Sequence, residues 1–319
     1  MDKTLNPNKI AIIGAGAVGA TTAYAMMSQG VGSEIVLIDI NKDKAEGEAM
    51  DLRHGASFVN PVDIYSGDYE DLSDAHLIVI TAGAAQQPGE SRLDLIQKNT
   101  AIFKNIVPSI TKYNQDGIIL VVTNPVDILT YVTWKLSGFP ANRVFGSGTV
   151  LDSSRFRSLL SKNCGVAANN VHGYIIGEHG DSEVAVWSLT NIAGTPIQNY
   201  CPICDNSCGR GDLEEIAKKV KNSAYEIIDK KGSTFYAVAL AVSRIARAVL
   251  RDENAVLTVS SLMEGYYGVD GISLSLPTLV SSNGIEKVLE LPLSPGEEKA
   301  FKESAQEIKE NIEKLDLEI

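Results

Sequence analysis

The sequence predicts an α/β fold, with a doubly wound parallel sheet in the first half of the chain and a differently organised second half. A glycine-rich turn lies between two short apolar runs, residues 10–13 and 34–38. Further apolar runs alternate with helical segments up to about residue 150, which is typical of the strands of one parallel sheet. Beyond that point, long amphipathic helices and short alternating segments replace this pattern.

The glycine-rich turn has the spacing of a dinucleotide-binding site. Gly14 permits a tight turn, Gly16 lets the backbone approach a pyrophosphate, and Gly19 lets the following helix pack closely on the strand. The helix N-terminus then offers free N–H groups to the phosphates. Asp39 ends the next strand and can accept hydrogen bonds from both ribose hydroxyls. Its negative charge disfavours a 2′-phosphate, so the pattern indicates a Rossmann domain that binds NAD rather than NADP.

The remaining elements follow in chain order, after an N-terminal segment, residues 1–8, that is expected to be disordered or loosely docked. In the first half, the predicted helices are 20–27, 41–54, 93–113 and 127–136, and the predicted strands are 64–66, 76–82, 118–122 and 143–145. In the second half, we expect helices at 151–162, 212–231 and 233–251, a strand at 171–176, and alternating segments from 254 to 291 with a hairpin turn at Asn283-Gly284. Apolar residues at helical spacing from Phe301 to Leu315 predict a docked C-terminal helix.

Length and charge bound the class of protein. The 319 residues, 44% of them apolar, suffice for two domains, which we expect at 1–150 for NAD binding and at 151–319 for an α+β catalytic domain. A net charge of -12 argues against nucleic acid or an anionic membrane surface as a partner. The N-terminus has no secretory signal and no window suits a membrane span, so a cytoplasmic protein is expected.

Three cysteines, Cys201, Cys204 and Cys208, have spacing that suggests a metal or cluster site. Such a site needs a fourth ligand, and no Cys or His follows within thirty residues of Cys208. Reduced cysteines in a surface loop are the preferred interpretation, and no metal is predicted.

Four side chains are candidates for acid–base and substrate chemistry. His179 lies between two glycines just after an apolar strand, and a histidine exchanges a proton near neutral pH. Asp152 and Arg155 share one helix face, so the acid could orient a base while the guanidinium grips a substrate carboxylate. Arg92 ends a polar loop that could close over a site. A plain salt bridge and a structural histidine remain the alternatives.

The motifs GAGAVG, AQQPGESR, VTNPVD, GTVLDSSRFR, IGEHGDSE and KGSTFYA occur in this order along the whole chain. In this combination the chain resembles the lactate/malate dehydrogenase family and, within it, the bacterial L-lactate dehydrogenases. The resemblance implies hydride transfer between NADH and pyruvate to give L-lactate, the final step of lactate fermentation. It also implies a Rossmann domain, an α+β catalytic domain and a homotetramer.

The same resemblance implies a role for each matching residue. His179 matches the proton donor, Asp152 the acid that holds its ring, Arg155 the partner of the substrate carboxylate, and Arg92 the loop arginine that polarises the ketone. The implied substrate contacts are Gln86, Arg92, Asn124, Asp152, Arg155 and Thr234. The implied cofactor contacts are Gly14, Gly16, Val18, Gly19, Asp39, Lys44, Tyr69, Gly83, Ala84, Val122, Asn124 and Ser147.

Two positions in the polar loop bear on specificity. Ala85 departs from the asparagine common in the family and could alter cofactor or loop contacts. Gln86 stands where malate enzymes typically have arginine, so a second substrate carboxylate would be desolvated and poorly paired. Pyruvate is therefore expected over oxaloacetate. The alternatives are a dehydrogenase for malate or another 2-hydroxy acid, and a homologue that binds without catalysis.

Arg157 lies two residues after Arg155, so on a helix it points about 200° away from the substrate face. The resemblance pairs Arg157 with His172, because allosteric bacterial lactate dehydrogenases carry an arginine and a histidine at these positions. It implies fructose 1,6-bisphosphate as an activator bound across a subunit interface. Histidine gains charge in mild acid, so activation is expected to be stronger there.

Overall fold

The computed structural model describes residues 4–85, 89–200 and 210–315. The strands in chain order are β1 (Asn6–Ile13), β2 (Glu34–Ile38), β3 (Asp63–Ser66), β4 (Ala75–Ile80), β5 (Ile118–Val121), β6 (Val144–Gly146), β7 (Val171–His172), β8 (Ile175–Ile176), β9 (Val184–Ala185), β10 (Asn191–Ile192), β11 (Thr195–Pro196), β12 (Ala255–Leu257), β13 (Ser260–Glu264), β14 (Asp270–Ser275), β15 (Thr278–Ser281) and β16 (Gly284–Val288). The helices are α1 (Ala17–Gln29), α2 (Lys42–His54), α3 (Arg92–Tyr113), α4 (Val126–Ser137), α5 (Val150–Cys164), α6 (Ile197–Tyr200), α7 (Arg210–Lys231), α8 (Tyr236–Leu250) and α9 (Pro295–Ile312).

The central sheet has eight strands in the order β14-β13-β6-β5-β4-β1-β2-β3. The six strands from the first half of the chain are parallel and run outward in both directions from β1 and β4. This is the strand order of a doubly wound dinucleotide-binding fold, so the predicted fold class is confirmed. Two strands from the second half, β13 and β14, extend the sheet in antiparallel fashion beside β6, which the sequence did not predict.

Alternate residues of the parallel strands enter two separate cores, one on each face of the sheet. In β1, Ile10 and Ile12 pack with α1 and α8, whereas Ala11 and Ile13 pack with α3 and α4. Both faces are covered by helices, so the strands need apolar side chains at every position. This is why they read as continuous apolar runs in the sequence.

A smaller core organises part of the second half. Phe156 and Leu160 of α5 pack with Val220 of α7 and with the short strands β7, β8 and β10. The ring of Phe156 meets Trp187 edge-on, with 4.7 Å between the centroids. This core holds α5 against the segment that carries His179.

Three local expectations were wrong. The strand expected at 171–176 is divided into β7 and β8, because the first piece pairs with β10 and the second with β9. Residues 6–8, expected to be loosely docked, belong to β1, where Asn6 pairs with Ala75. The hairpin between β15 and β16 forms, but its turn residues are 282–283, one position earlier than predicted.

Two further observations concern membrane spans and cysteines. Within the described ranges, no helix has both the length and the apolar character needed to cross a bilayer. Cys164 is buried at the end of α5. The expectation for Cys201, Cys204 and Cys208 falls outside the described residues.

We predict that Phe301→Ala lowers the free energy of unfolding by about 3–5 kcal/mol, as expected when a buried aromatic side chain is removed. Phe301 is fully buried on the inner face of α9, and its ring centroid lies 5.3 Å from that of Tyr267. Chemical denaturation followed by circular dichroism measures the change. As the control, Lys299→Ala removes a side chain that is 79% exposed on the same helix and should change stability by less than about 0.5 kcal/mol. Equal losses in the two variants would contradict the docking of α9 through Phe301.

Candidate active site

The glycine-rich turn connects β1 to α1 and leaves room above its backbone. Gly14 has a φ of 108°, and a Cβ there would lie 2.6 Å from the Ala82 nitrogen. A Cβ on Gly19 would overlap the Gly14 carbonyl, so the helix packs directly on the turn. Gly16 differs, because a Cβ there would meet nothing within 4 Å. The backbone at Gly16 therefore faces open space.

The N-terminus of α1 begins at this open space. Gly16 is its N-cap, no side chain caps it, and its first turn has no acidic residue. Its first N–H groups and its dipole are therefore available to an anion such as a pyrophosphate. Asp39 lies at the end of the neighbouring strand, where its carboxylate accepts hydrogen bonds from the Ala15 and Asn41 N–H groups at 2.7 and 2.9 Å. The residues of this turn fit NAD by geometry and by charge.

The other cofactor candidates follow the neighbouring strands. Gly83 and Ala84 come after β4, Val122 and Asn124 after β5, and Ser147 after β6, so they share the carboxyl edge of the sheet. Lys44 is exposed on α2, whereas Val18 on α1 and Tyr69 are half-buried. Burial raises the pKa of the Tyr69 phenol, which remains neutral.

Asn99 joins two of these segments and was missed from the sequence. It is fully buried in α3, its Oδ1 accepts from the Ala84 N–H at 2.8 Å, and its Nδ2 donates to the Asn124 carbonyl at 2.8 Å. The segment after β4 is therefore fixed to the one after β5, which ends in a cis Asn124–Pro125 peptide. The signal in the sequence that could have identified Asn99 is its position among the buried, mostly apolar residues of α3.

Asp152 lies in the first turn of α5 and bonds two cationic groups with its two oxygens. Its Oδ2 is 2.5 Å from His179 Nδ1, and its Oδ1 accepts from Arg155 Nη1 at 2.8 Å. Asp152 is 2% exposed. The structure thus brings three of the four predicted catalytic residues into one hydrogen-bonded group.

The electrostatics of this group keep His179 protonated. Burial alone would lower the pKa of His179, but the charge of Asp152 and the hydrogen bond to it raise the pKa to about 9. Burial likewise works to raise the pKa of Asp152, yet the charges of His179 and Arg155 outweigh it and hold the pKa below its ordinary range. The pair is therefore an aspartate and an imidazolium at neutral pH, and the imidazolium can donate a proton from Nε2.

Asp127 fixes the backbone of the segment that carries His179 and was also missed as a site residue. Its Oδ2 accepts from the His179 N–H at 2.7 Å, and its Oδ1 accepts from the Ser260 hydroxyl at 2.6 Å. It lies in the first turn of α4 and is 1% exposed. A charged residue inside the otherwise apolar start of α4 was the signal that could have revealed it.

Arg92 is the first residue of α3, after a capping box formed by Ser91 and Asp94. Its guanidinium contacts the buried carboxylate of Glu178 and, at 3.3 Å, that of Glu307. A Cβ on Gly180 would lie 3.3 Å from Arg92 Nη2. Arg92 therefore lies against the segment that carries His179, held there by two carboxylates.

Of the remaining candidates, Thr234, Arg157 and His172 lie within the described residues. Thr234 is half-buried between α7 and α8, and no hydrogen bond joins it to His179, Asp152 or Arg155 in the described chain. Gln86, the specificity candidate, lies outside the described residues. Arg157 points away from Arg155, donates to the Gly173 carbonyl at 3.0 Å and lies over the Tyr174 ring. His172 precedes Gly173 and is exposed, so it is the chain neighbour of the residue whose carbonyl Arg157 bonds.

Comparison with known proteins places the chain in a family. Residues 8–146 match the model for the lactate/malate dehydrogenase NAD binding domain, and residues 149–318 match the alpha/beta C-terminal domain of the same family. An L-lactate dehydrogenase of Thermoanaerobacter pseudethanolicus is 61% identical over 97% of this chain and 100% of its own length. L-lactate dehydrogenase 1 of Clostridium acetobutylicum is 56% identical over 96% of this chain and 98% of its own.

A solved structure agrees with these matches. The ligand-bound crystal structure of the minor L-lactate dehydrogenase from Enterococcus mundtii superimposes with a TM-score of 0.94 at 46% identity, covering 98% of this chain and 99% of the other. Both family models, the near full-length relatives and the whole-chain likeness agree, and the chain belongs to the lactate/malate dehydrogenase family.

Proposed function

We propose that this protein is an NAD-dependent L-lactate dehydrogenase that reduces pyruvate to L-lactate, reversibly, as the final step of lactate fermentation in the cytoplasm. The observation that carries the proposal is the hydrogen-bonded group of Asp152, His179 and Arg155, which supplies a proton donor beside a guanidinium. The relatives of the same length that bear this name support it. NADH, when bound along the glycine-rich turn, supplies the hydride.

In the proposed mechanism, each residue of the group has one task. Arg155 pairs with the substrate carboxylate through its planar fork of N–H donors, which suits a carboxylate. His179 donates its Nε2 proton to the ketone oxygen as the hydride reaches the ketone carbon. Asp152 keeps Nδ1 protonated and offsets the charge of the imidazolium, as the acid of a catalytic triad does.

Arg92 takes the fourth task, polarising the ketone oxygen. A cation near the developing alkoxide lowers the barrier most when water is excluded. Its present contacts with Glu178 and Glu307 hold the guanidinium beside the His179 segment. Exchange of the more exposed Glu307 contact for the substrate would bring Arg92 into this role.

The proposal includes a homotetramer. Large apolar side chains are exposed on the monomer surface, among them Phe58 at 87%, Leu240 at 53% and Val256 at 40%. Such surfaces are typical of subunit contacts.

The proposal also includes activation by fructose 1,6-bisphosphate at Arg157 and His172. Arg157 and Arg244 line a cavity of about 510 Å³, so Arg157 can be reached by an anion. Without a ligand, cationic groups that face each other across an interface would repel. A bisphosphate would therefore favour the assembled, active state.

Catalysis provides the first test. We expect His179→Ala to abolish NADH oxidation by pyruvate while NADH binding, followed by its fluorescence, is retained, because the nucleotide is held by the turn around Gly14 and by Asp39. Arg155→Leu is the matched comparison and should mainly raise KM for pyruvate. Substantial turnover by His179→Ala would remove this residue as the proton donor.

Specificity provides a second test. Wild type should reduce pyruvate in preference to oxaloacetate, and Gln86→Arg should shift kcat/KM towards oxaloacetate by supplying a partner for its second carboxylate. Gln87→Arg, which adds the same charge one position later, is the control and should shift it less. Equal kcat/KM values for the two acids in wild type would contradict the proposed preference for pyruvate.

Activation provides a third test. Fructose 1,6-bisphosphate should lower KM for pyruvate in wild type, and the effect should be larger at pH 5.5 than at pH 7.5, because histidine side chains carry more positive charge in mild acid. Arg157→Gln should lose the response, whereas Arg143→Gln, at an arginine remote from this region, should keep it. An unchanged pyruvate affinity in wild type across this range would contradict the proposed activator, and a response that survives in Arg157→Gln would place its site elsewhere.

A further inference from the structure

His179, the proton donor of the proposed mechanism, is held through its backbone as well as through its ring. Its N–H donates to Oδ2 of Asp127 in α4 at 2.7 Å, while its Nδ1 lies 2.5 Å from Oδ2 of Asp152 in α5. Both acids are almost fully buried. Two carboxyl groups from different helices therefore fix the two ends of one residue.

The segment that carries His179 depends on such contacts with other elements. Gly177 and Gly180 flank Glu178 and His179, and Gly177 has a φ of 85°. Glycine restricts the backbone least of all residues, so the local sequence does little to fix where the main chain of His179 lies. The preceding N–H, that of Glu178, is also held by a side chain, because it donates to the Ser304 hydroxyl of α9 at 2.9 Å.

Asp127 is itself held from a second direction. Its Oδ1 accepts from the hydroxyl of Ser260 in β13 at 2.6 Å, and Ser260 pairs with Gly146 of β6. Burial, and to a smaller extent the charge of Asp152, raise the pKa of Asp127, whereas both hydrogen bonds and the charge of His179 lower it. A buried polar group whose two oxygens are both engaged is rigid. Asp127 therefore connects the backbone of His179 to the central sheet.

The contact at Nδ1 does not by itself set the direction of Nε2. With the Asp152 bond alone, the imidazole could pivot about that contact, and the proton on Nε2 would occupy a range of positions. The bond from the His179 N–H to Asp127 fixes the other end of the residue and limits this motion. Proton donation depends on distance and alignment, and a displacement of about 1 Å can slow a reaction by about 100-fold.

We propose that Asp127 is a positioning residue that directs the Nε2 proton of His179 at the ketone oxygen by holding the His179 backbone. Its carboxyl group is buried and both of its oxygens are engaged, so it acts on the reaction through His179. Arg155, the proposed partner of the substrate carboxylate, is held by Oδ1 of Asp152 instead. Loss of Asp127 should therefore slow the chemical step more than it weakens pyruvate binding. This inference rests on the proposed pyruvate reduction.

The test compares two substitutions of Asp127. Asp127→Ala removes the acceptor, so kcat for pyruvate reduction should fall by about 100-fold while KM for pyruvate changes by less than about threefold. Asp127→Asn can keep both bonds, with Oδ1 accepting from the His179 N–H and Nδ2 donating to the Ser260 hydroxyl. It should restore kcat to within about fivefold of wild type, the effect of one altered hydrogen bond. Equal kcat losses in the two variants, or a loss in Asp127→Ala that lies mainly in KM, would overturn the proposal.

The matched control is Thr133→Val, which removes another buried polar group from the same helix. The Thr133 hydroxyl donates to the Leu129 carbonyl at 2.7 Å, so its bond stays within α4. This variant should have a lower Tm but the kcat of wild type. If it loses as much kcat as Asp127→Ala, general damage to α4 explains the loss and the proposal is wrong.

Ser260→Ala serves if Asp127→Ala does not fold. It removes the support of Asp127 in β13 and leaves the bond between Asp127 and His179. We expect kcat to fall by about tenfold with KM within about threefold of wild type, because Asp127 can then shift and carry the His179 backbone with it. A kcat equal to that of wild type would contradict the role of Asp127.

A further measurement needs no activity. Hydrogen exchange followed by mass spectrometry reports the protection of the His179 N–H. Peptides that include His179 should exchange faster in Asp127→Ala than in wild type, whereas Asp127→Asn should restore the protection and Thr133→Val should keep it. Unchanged exchange in Asp127→Ala would show that Asp127 does not hold this segment. If wild type reduces no 2-keto acid, the proposed function fails, while hydrogen exchange still reports on the bond between Asp127 and His179.

Discussion

The two hydrogen bonds of the Asp152 carboxylate are the constraint on which the site depends. One oxygen holds the imidazole of His179 and the other holds the guanidinium of Arg155, so a single buried charge fixes both functional cations. A buried carboxylate with one partner would retain much of its desolvation penalty, whereas two charge-assisted hydrogen bonds offset it. The same two hydrogen bonds therefore position His179 and Arg155 and compensate the buried charge of Asp152.

The residues that hold His179 in place come from segments far apart in the chain. Asp152 comes from α5, which begins just beyond β6, while His179 comes from the turn beyond β8. Asp127, at the start of α4, bonds the backbone of His179 and the hydroxyl of Ser260 in β13. The side chain and the backbone of His179 are thus held by two different acids on two different helices.

How well each feature could be predicted from the sequence depends on whether its interactions are local or join residues far apart in the chain. The parallel strands could be predicted because both faces of each are buried, and the glycine turn because backbone crowding demands those residues. The roles of His179, Arg155 and Arg92 came from likeness to a family, since each alone suits an ordinary salt bridge or surface position. Asn99 and Asp127 were missed because they act through partners distant in sequence, such as Ser260 for Asp127.

The attachment of β13 and β14 to the parallel sheet has a consequence for how this protein can change in evolution. Two family models meet near residue 147, yet the hydrogen-bonded sheet continues from β6 into β13 across that boundary. At the contact, Gly146 faces Ser260, and a Cβ on Gly146 would come within 3.2 Å of the Ser260 Cβ. The two halves cannot be exchanged independently, because a second half taken from a relative must supply a strand that pairs with β6. A half exchanged by recombination at this boundary would have to preserve the pairing of β6 with β13, and a residue larger than glycine at position 146 would also collide with Thr130 and Val126 of the first half.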